Sequence, residues 1–213
     1  MPTAGKSTLA GNLSHHLGLP WLSTDHVGIV MRSVASRDGH PHLFTWDAYG
    51  SDPSAGELSA AAIADNEWKN SEANWIGVRK LIVEDYTWTD GFVIEGAGIL
   101  PHLVAEDFAG SDVVRAVFVG DRDTDRIRRT MAERESLWSE EKEVEWVLRF
   151  DERLRAEAER FRFPWVDLEK NDQDLMKVIG ALGYTTMAPG APRPGTLAAW
   201  RRSRNPSGSG ATR

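Results

Sequence analysis

The sequence predicts an α/β protein, a parallel sheet flanked by helices, and three observations carry that expectation. Short apolar runs bounded by turn residues alternate with amphipathic helical stretches along most of the 213 residues. Two of the runs end in an acid, Asp25 and Glu95, as strands do when their ends face a ligand crevice. The first helical stretch is preceded by a glycine and headed by a lysine and two hydroxyls, Gly5-Lys6-Ser7-Thr8.

The elements follow in order. Gly5 to Leu17 reads as a helix, with Leu9, Leu13 and Leu17 on one face and Gly18 as its stop. Residues 20–25 read as a strand tipped by Asp25, and Val27 to Val34 as the next helix. Residues 36–56 mix Gly, Pro, Asp and His and read as mostly loop. Leu58 to Ala64 and Glu72 to Tyr86 read as two helices, the second striped by Trp75, Val78, Ile82 and Tyr86. Gly91 to Gly96 is a turn, an apolar strand and an acid, and Val113 to Val119 is a further strand on its β-branched content. Helices over Asp123–Arg134 and Glu140–Phe161, a strand over Pro164–Leu168 and a helix over Asp172–Leu182 complete the domain, which spans residues 1–184. Residues 185–213 read as a disordered tail of Pro, Gly, Ser and Arg.

Composition excludes several classes of function. Cysteine is absent, which removes disulfides, thiolate zinc sites and cysteine nucleophiles. A net charge of -7 argues against a nucleic-acid partner. No apolar run reaches the roughly 18–20 residues of a membrane span, and no secretory signal is visible, so the expectation is a cytoplasmic protein. The nine tryptophans are expected mainly in the core.

Gly5-Lys6-Ser7-Thr8 is the second half of the phosphate-binding pattern G-x-x-x-x-G-K-[ST]. In such a loop, Ala4 to Thr8 present backbone N–H groups to phosphate oxygens, and the positive end of the helix adds to them. Lys6 brings a mobile charge to the β and γ phosphates, Ser7 a hydroxyl for Mg²⁺, and Thr8 a helix cap or a contact to the α-phosphate. A lysine at a helix N-terminus opposes the helix dipole, a cost that makes sense where an anion binds. The first glycine of the pattern, and the strand that leads into it, would precede Met1. The sheet is therefore expected to lack its first strand in this chain.

The other candidates have two readings each. Asp25 can orient or deprotonate an acceptor hydroxyl, or help hold Mg²⁺; it can also cap the helix after it. Arg32 can clamp an anionic acceptor or stand in solvent. Glu95 suits the Mg²⁺ shell or a catalytic water, with Gly96 allowing close approach of a substrate; alternatively Glu95 caps the segment from Ala97. Arg126, Arg128, Arg129 and Arg134 suit a lid over transferring phosphates, with Arg129 and Arg134 the candidates; a salt-bridged surface helix explains them equally well.

On these motifs, together with Val93-Ile94-Glu95-Gly96 followed by Pro101 and the strand Trp165-Val166-Asp167, the chain resembles the P-loop small-molecule kinases. The group includes the 2-phosphoglycerate, gluconate, shikimate and nucleoside monophosphate kinases, and the resemblance covers roughly residues 1–184. It implies a P-loop NTPase fold and binding of ATP and Mg²⁺ by Lys6 and Ser7. It also implies an acceptor facing Asp25 and Arg32, and an adenine lying by the loop at Glu169 and Asn171. The expected activity is transfer of the ATP γ-phosphoryl to a hydroxyl of a small metabolite. The alternatives are an ATP-binding regulatory module or partner-regulated ATPase, and a kinase for a larger acceptor such as a sugar nucleotide. A GTPase is disfavoured, because Glu169-Lys170-Asn171-Asp172 has the composition but not the order of a guanine-reading N-K-x-D loop.

Overall fold

The computed structural model describes residues 5–51, 53–84, 91–132 and 138–184. Eight α-helices and four short strands alternate among them. Helix α1 (Lys6–Leu17) leads to strand β1 (Trp21–Ser23) and helix α2 (Thr24–Val34). A 3-10 helix (Pro41–Phe44), helix α3 (Thr45–Ser51) and a second 3-10 helix (Pro53–Glu57) precede the long helix α4 (Ala60–Glu84). Strand β2 (Val93–Glu95), helix α5 (Pro101–Phe108), strand β3 (Phe118–Gly120) and helix α6 (Thr124–Ala132) follow. Helix α7 (Glu140–Arg160), strand β4 (Trp165–Asp167) and helix α8 (Gln173–Ala181) close the fold.

The architecture is mixed α/β, mostly helical, with short parallel strands. β1 pairs with β2 and β3 with β4, both in parallel. The strands make two two-stranded sheets among the described residues, where the sequence predicts one. Between the sheets lies a cavity of about 120 Å³, lined by Val93 and Ile94 on one side and by Phe118 and Val119 on the other. Leu13 of α1 and Phe150 of α7 also line it.

The core runs along α4 and α7, which pack on each other. Ile63, Trp68 and Val78 of α4 and Val147, Phe150 and Ala158 of α7 are almost wholly buried. Burial of the larger of these side chains contributes about 1.5–3 kcal/mol each before conformational entropy is counted. Of the tryptophans, Trp68, Trp75 and Trp146 belong to this core, whereas Trp21 is exposed.

Three local expectations need correction. Residues 36–56 are not mostly loop: two 3-10 helices and α3 occupy much of the stretch. There the buried Leu43 and Phe44 pack in and Trp46 and Tyr49 stack edge to face, contacts made across the fold that local propensity does not signal. The two helices predicted within 58–86 are one, α4, unbroken through the polar run at 65–71. That run stays helical because its inward polar groups find partners: Trp46 donates to Glu67, and the Asn70 amide donates to the His42 carbonyl. The strand predicted over 113–119 is confined to Phe118–Gly120. Its start is drawn into a turn where Ser111 Oγ accepts from the Val113 and Val114 N–H groups. Tyr86 and the proposed tail, 185–213, lie outside the described residues. Among the described residues no helix is long and apolar enough to cross a membrane.

Candidate functional site

The candidate site lies at the start of α1. Gly5 precedes the helix in a left-handed conformation (φ 78°), which a residue with a side chain rarely adopts. Its carbonyl accepts from the Leu9 N–H, the first helical bond. The first turn, Lys6-Ser7-Thr8, holds no acid, so no carboxylate of its own offsets the positive end of the helix dipole. Ser7 and Thr8 are exposed.

Glu95 ends β2 against this turn. Its Oε1 accepts from Ser7 Oγ at 3.0 Å, and its Oε2 lies 3.4 Å from Lys6 Nζ. Glu95 is only 8% exposed, and Oε2 has no hydrogen-bond partner among the described residues. A buried carboxylate oxygen left with a single long ion pair is costly unless a cation or water completes it. Lysine, hydroxyl and buried carboxylate thus converge at a helix N-terminus, a set of groups suited to a phosphate chain and a hard cation.

Gly96 and Gly98 have a packing reason. Gly96 sits at φ 147°, and a side chain there would run into Thr24, which is fully buried. The Gly98 N–H donates to Thr24 Oγ1 at 3.3 Å. The turn after β2 is thereby held against the start of α2.

Asp25 lies at that start. Ser23 pairs with Glu95 across the sheet, so β1 and β2 end together and Asp25 stands two residues past the shared edge. Asp25 does not cap the helix: α2 begins at Thr24, and Ser23 is the cap, its Oγ accepting from the Asp25 N–H at 3.2 Å. The Asp25 side chain is exposed. Arg32, further along α2, donates to the Leu43 carbonyl at 3.5 Å and lies 3.8 Å from Asp47, tying α2 to the segment after it.

The remaining candidates scatter more widely. Arg126 makes two short bonds to the fully buried Asp121 and donates to the Leu168 and Glu169 carbonyls, so it braces the loop after β4. Arg128 pairs with Asp125 and Glu140 on the surface. Arg129 is exposed on α6. Asn171 donates to Glu169 and accepts from the Gln173 N–H, shaping the start of α8. Ala4 and Arg134 lie outside the described residues.

One residue was missed by sequence reasoning. Glu67 is buried on α4, and Trp46 donates its indole N–H to it at 2.6 Å. Burial pushes its carboxyl up to about 7, partly offset by the Trp46 bond, while the Asp25 charge raises it further and Lys6 lowers it. A single glutamate inside a helix has no pattern of its own. The only available signal was the polar spacing Glu67, Asn70, Ser71 and Asn74, which lies on one helix face.

No protein-family model matches the chain, and no solved structure matches it. Over 120 residues the chain is 32% identical to a protein named 2-phosphoglycerate kinase from Methanothermobacter thermautotrophicus. The aligned stretch is 54% of this chain and 38% of that protein, so the chain spans well under half of its relative's length.

Proposed function

We propose that the chain is part of an ATP-dependent small-molecule kinase. It binds ATP with Mg²⁺ at the start of α1 and passes the γ-phosphoryl group to a hydroxyl of a small anionic metabolite of the 2-phosphoglycerate kind. The observation that carries the reading is the convergence of Lys6, Ser7 and Glu95 in front of an acid-free helix N-terminus. The kinase similarity supports it. Such a protein works in the cytoplasm, where ATP and phosphorylated metabolites are found.

Each group then has a job. The N–H groups of the first turn and Lys6 hold the phosphate oxygens. Ser7 and Glu95 would hold Mg²⁺, and the buried Glu95 Oε2, which has a long ion pair to Lys6 but no hydrogen bond among the described residues, is the observation that fits a hard cation there. The metal supplies charge neutralisation on the phosphates. Asp25 accepts the proton of the attacking hydroxyl; the new O–P bond forms as the bond from the γ phosphorus to the β–γ bridging oxygen breaks, leaving ADP. Because the transition state is loose, positioning and charge do most of the work. Arg32, Arg129 and Arg134 are candidates for holding the anionic acceptor and the transferring group, and Asn171 for the adenine side.

The test is phosphoryl transfer from radiolabelled ATP to 2-phosphoglycerate and related hydroxy acids, with Lys6→Ala as the control. Labelled product that disappears in Lys6→Ala supports the reading. Nucleotide binding without transfer to any small acceptor favours the regulatory ATPase instead.

A further inference from the structure

We infer that Lys170 is a second phosphate-binding cation of the nucleotide site, reaching over Gly5 from the loop between β4 and α8 to the phosphate chain of a nucleoside triphosphate. The inference rests on the nucleotide reading above and adds a residue that no motif marks.

Lys170 adopts a left-handed backbone conformation, φ 57°, unfavourable for any residue with a side chain. The loop enforces it. The N–H groups of Glu169, Lys170 and Asn171 all donate to the buried carboxylate of Asp174, the one from Lys170 at 2.6 Å. Arg126 secures the same loop through the Leu168 and Glu169 carbonyls. The result is that the Lys170 stem crosses the entrance to α1: a Cβ built on Gly5 would lie 3.7 Å from Lys170 Cε.

The ammonium is weakly engaged where it stands. It lies 3.7 Å from Asp121 Oδ2 and 3.5 Å from Thr130 Oγ1, while Asp121 already takes two short bonds from Arg126. Its side chain is 31% exposed. A lysine with a long ion pair and a flexible stem can swing to a stronger anion nearby. At the same helix end Glu95 Oε2 is buried with only a 3.4 Å ion pair to Lys6 and no hydrogen bond among the described residues, a place that the cation carried by a nucleoside triphosphate would fill.

The test uses the full chain, with Lys170→Gly and Lys170→Gln, and measures ATP and adenosine binding by calorimetry alongside the melting temperature. Glycine relieves the left-handed backbone, so Lys170→Gly is expected to melt at or above the parent's temperature. Both variants should bind ATP about tenfold more weakly, the loss of one charge-assisted contact, with adenosine binding unchanged. ATP affinity within twofold of the parent in both variants overturns the inference, as does an equal loss for adenosine. If Lys6→Ala weakens ATP binding and the Lys170 variants do not, only this inference falls. If the parent binds no ATP, the nucleotide reading falls with it.

Discussion

Glu67 and Asp25 are two carboxyls set in opposite environments, one sealed in the core and one exposed at a helix start. For Glu67 the folded state keeps the proton from about 4.5 up to about 7, whereas the unfolded chain releases it. Stability therefore falls as pH rises through that window, by on the order of 3 kcal/mol. Asp151, pushed up to about 6 chiefly by burial, adds a fall of the same sign at lower pH. Glu67→Gln keeps an acceptor for Trp46 and removes the titration. Its urea midpoint should decline less than the parent's between pH 5 and pH 8, and parallel declines would contradict the assignment. For Asp25 the expected signature is kinetic. Asp25→Asn should lower kcat roughly a hundredfold or more, the scale of a lost general base, with ATP affinity and melting temperature near normal. Since Ser23 and not Asp25 caps α2, normal stability is expected whether or not Asp25 is the base, and turnover alone decides.

Among the elements, what could be read in the sequence depended on where each one found its partners. Helices α1, α7 and α8 carry apolar stripes at helical spacing and are legible locally; Val147, Phe150, Leu154 and Ala158, three or four residues apart, lie buried along α7. Helix α4 is legible at its two ends but not through its middle, since Glu67, Asn70 and Ser71 look like a break until Trp46 and the His42 carbonyl come to meet them. The site divides along the same line. Lys6, Ser7 and Glu95, which the structure brings together, could be picked out in advance because a Gly-Lys-Ser-Thr turn and an acid-tipped strand have local patterns. Lys170 and Glu67 owe their settings to contacts across the fold. The cap of α2 offers a test at this scale. Ser23→Ala removes the bond to the Asp25 N–H and should cost about 1 kcal/mol, read as a lower melting temperature. Because the cap also fixes the turn that presents Asp25, turnover should fall further than the stability loss explains, and Ser23→Thr, which keeps a capping hydroxyl, should restore both.

At the scale of the whole molecule, the open question is the space between the two sheets. Val93 and Ile94 face Phe118 and Val119 across an apolar cavity, with Lys6 and Glu95 also on its wall. Strands are about 4.8 Å apart when paired, and among the described residues no strand joins β2 to β3. Each of these strands thus has an edge without a strand partner among the described residues, and an unpaired edge shielded from water is unfavourable. An extended apolar segment between them would satisfy those edges, fill the cavity and join four strands into one parallel sheet of five. Because Lys6 lines the same cavity, such a segment would run up to the start of α1. The prediction is that a version of the protein extended ahead of residue 1 by about five β-branched residues and a glycine melts higher by roughly 3–6 °C, the effect of one to two kcal/mol in a domain of this size. Hydrogen exchange should slow at 93–95 and 118–120 together, and ATP affinity should rise as the loop is ordered. An extension of equal length carrying two prolines cannot donate the ladder bonds and should do none of this. If both extensions leave melting and exchange at 93–95 and 118–120 unchanged, the space between the sheets is not a strand site.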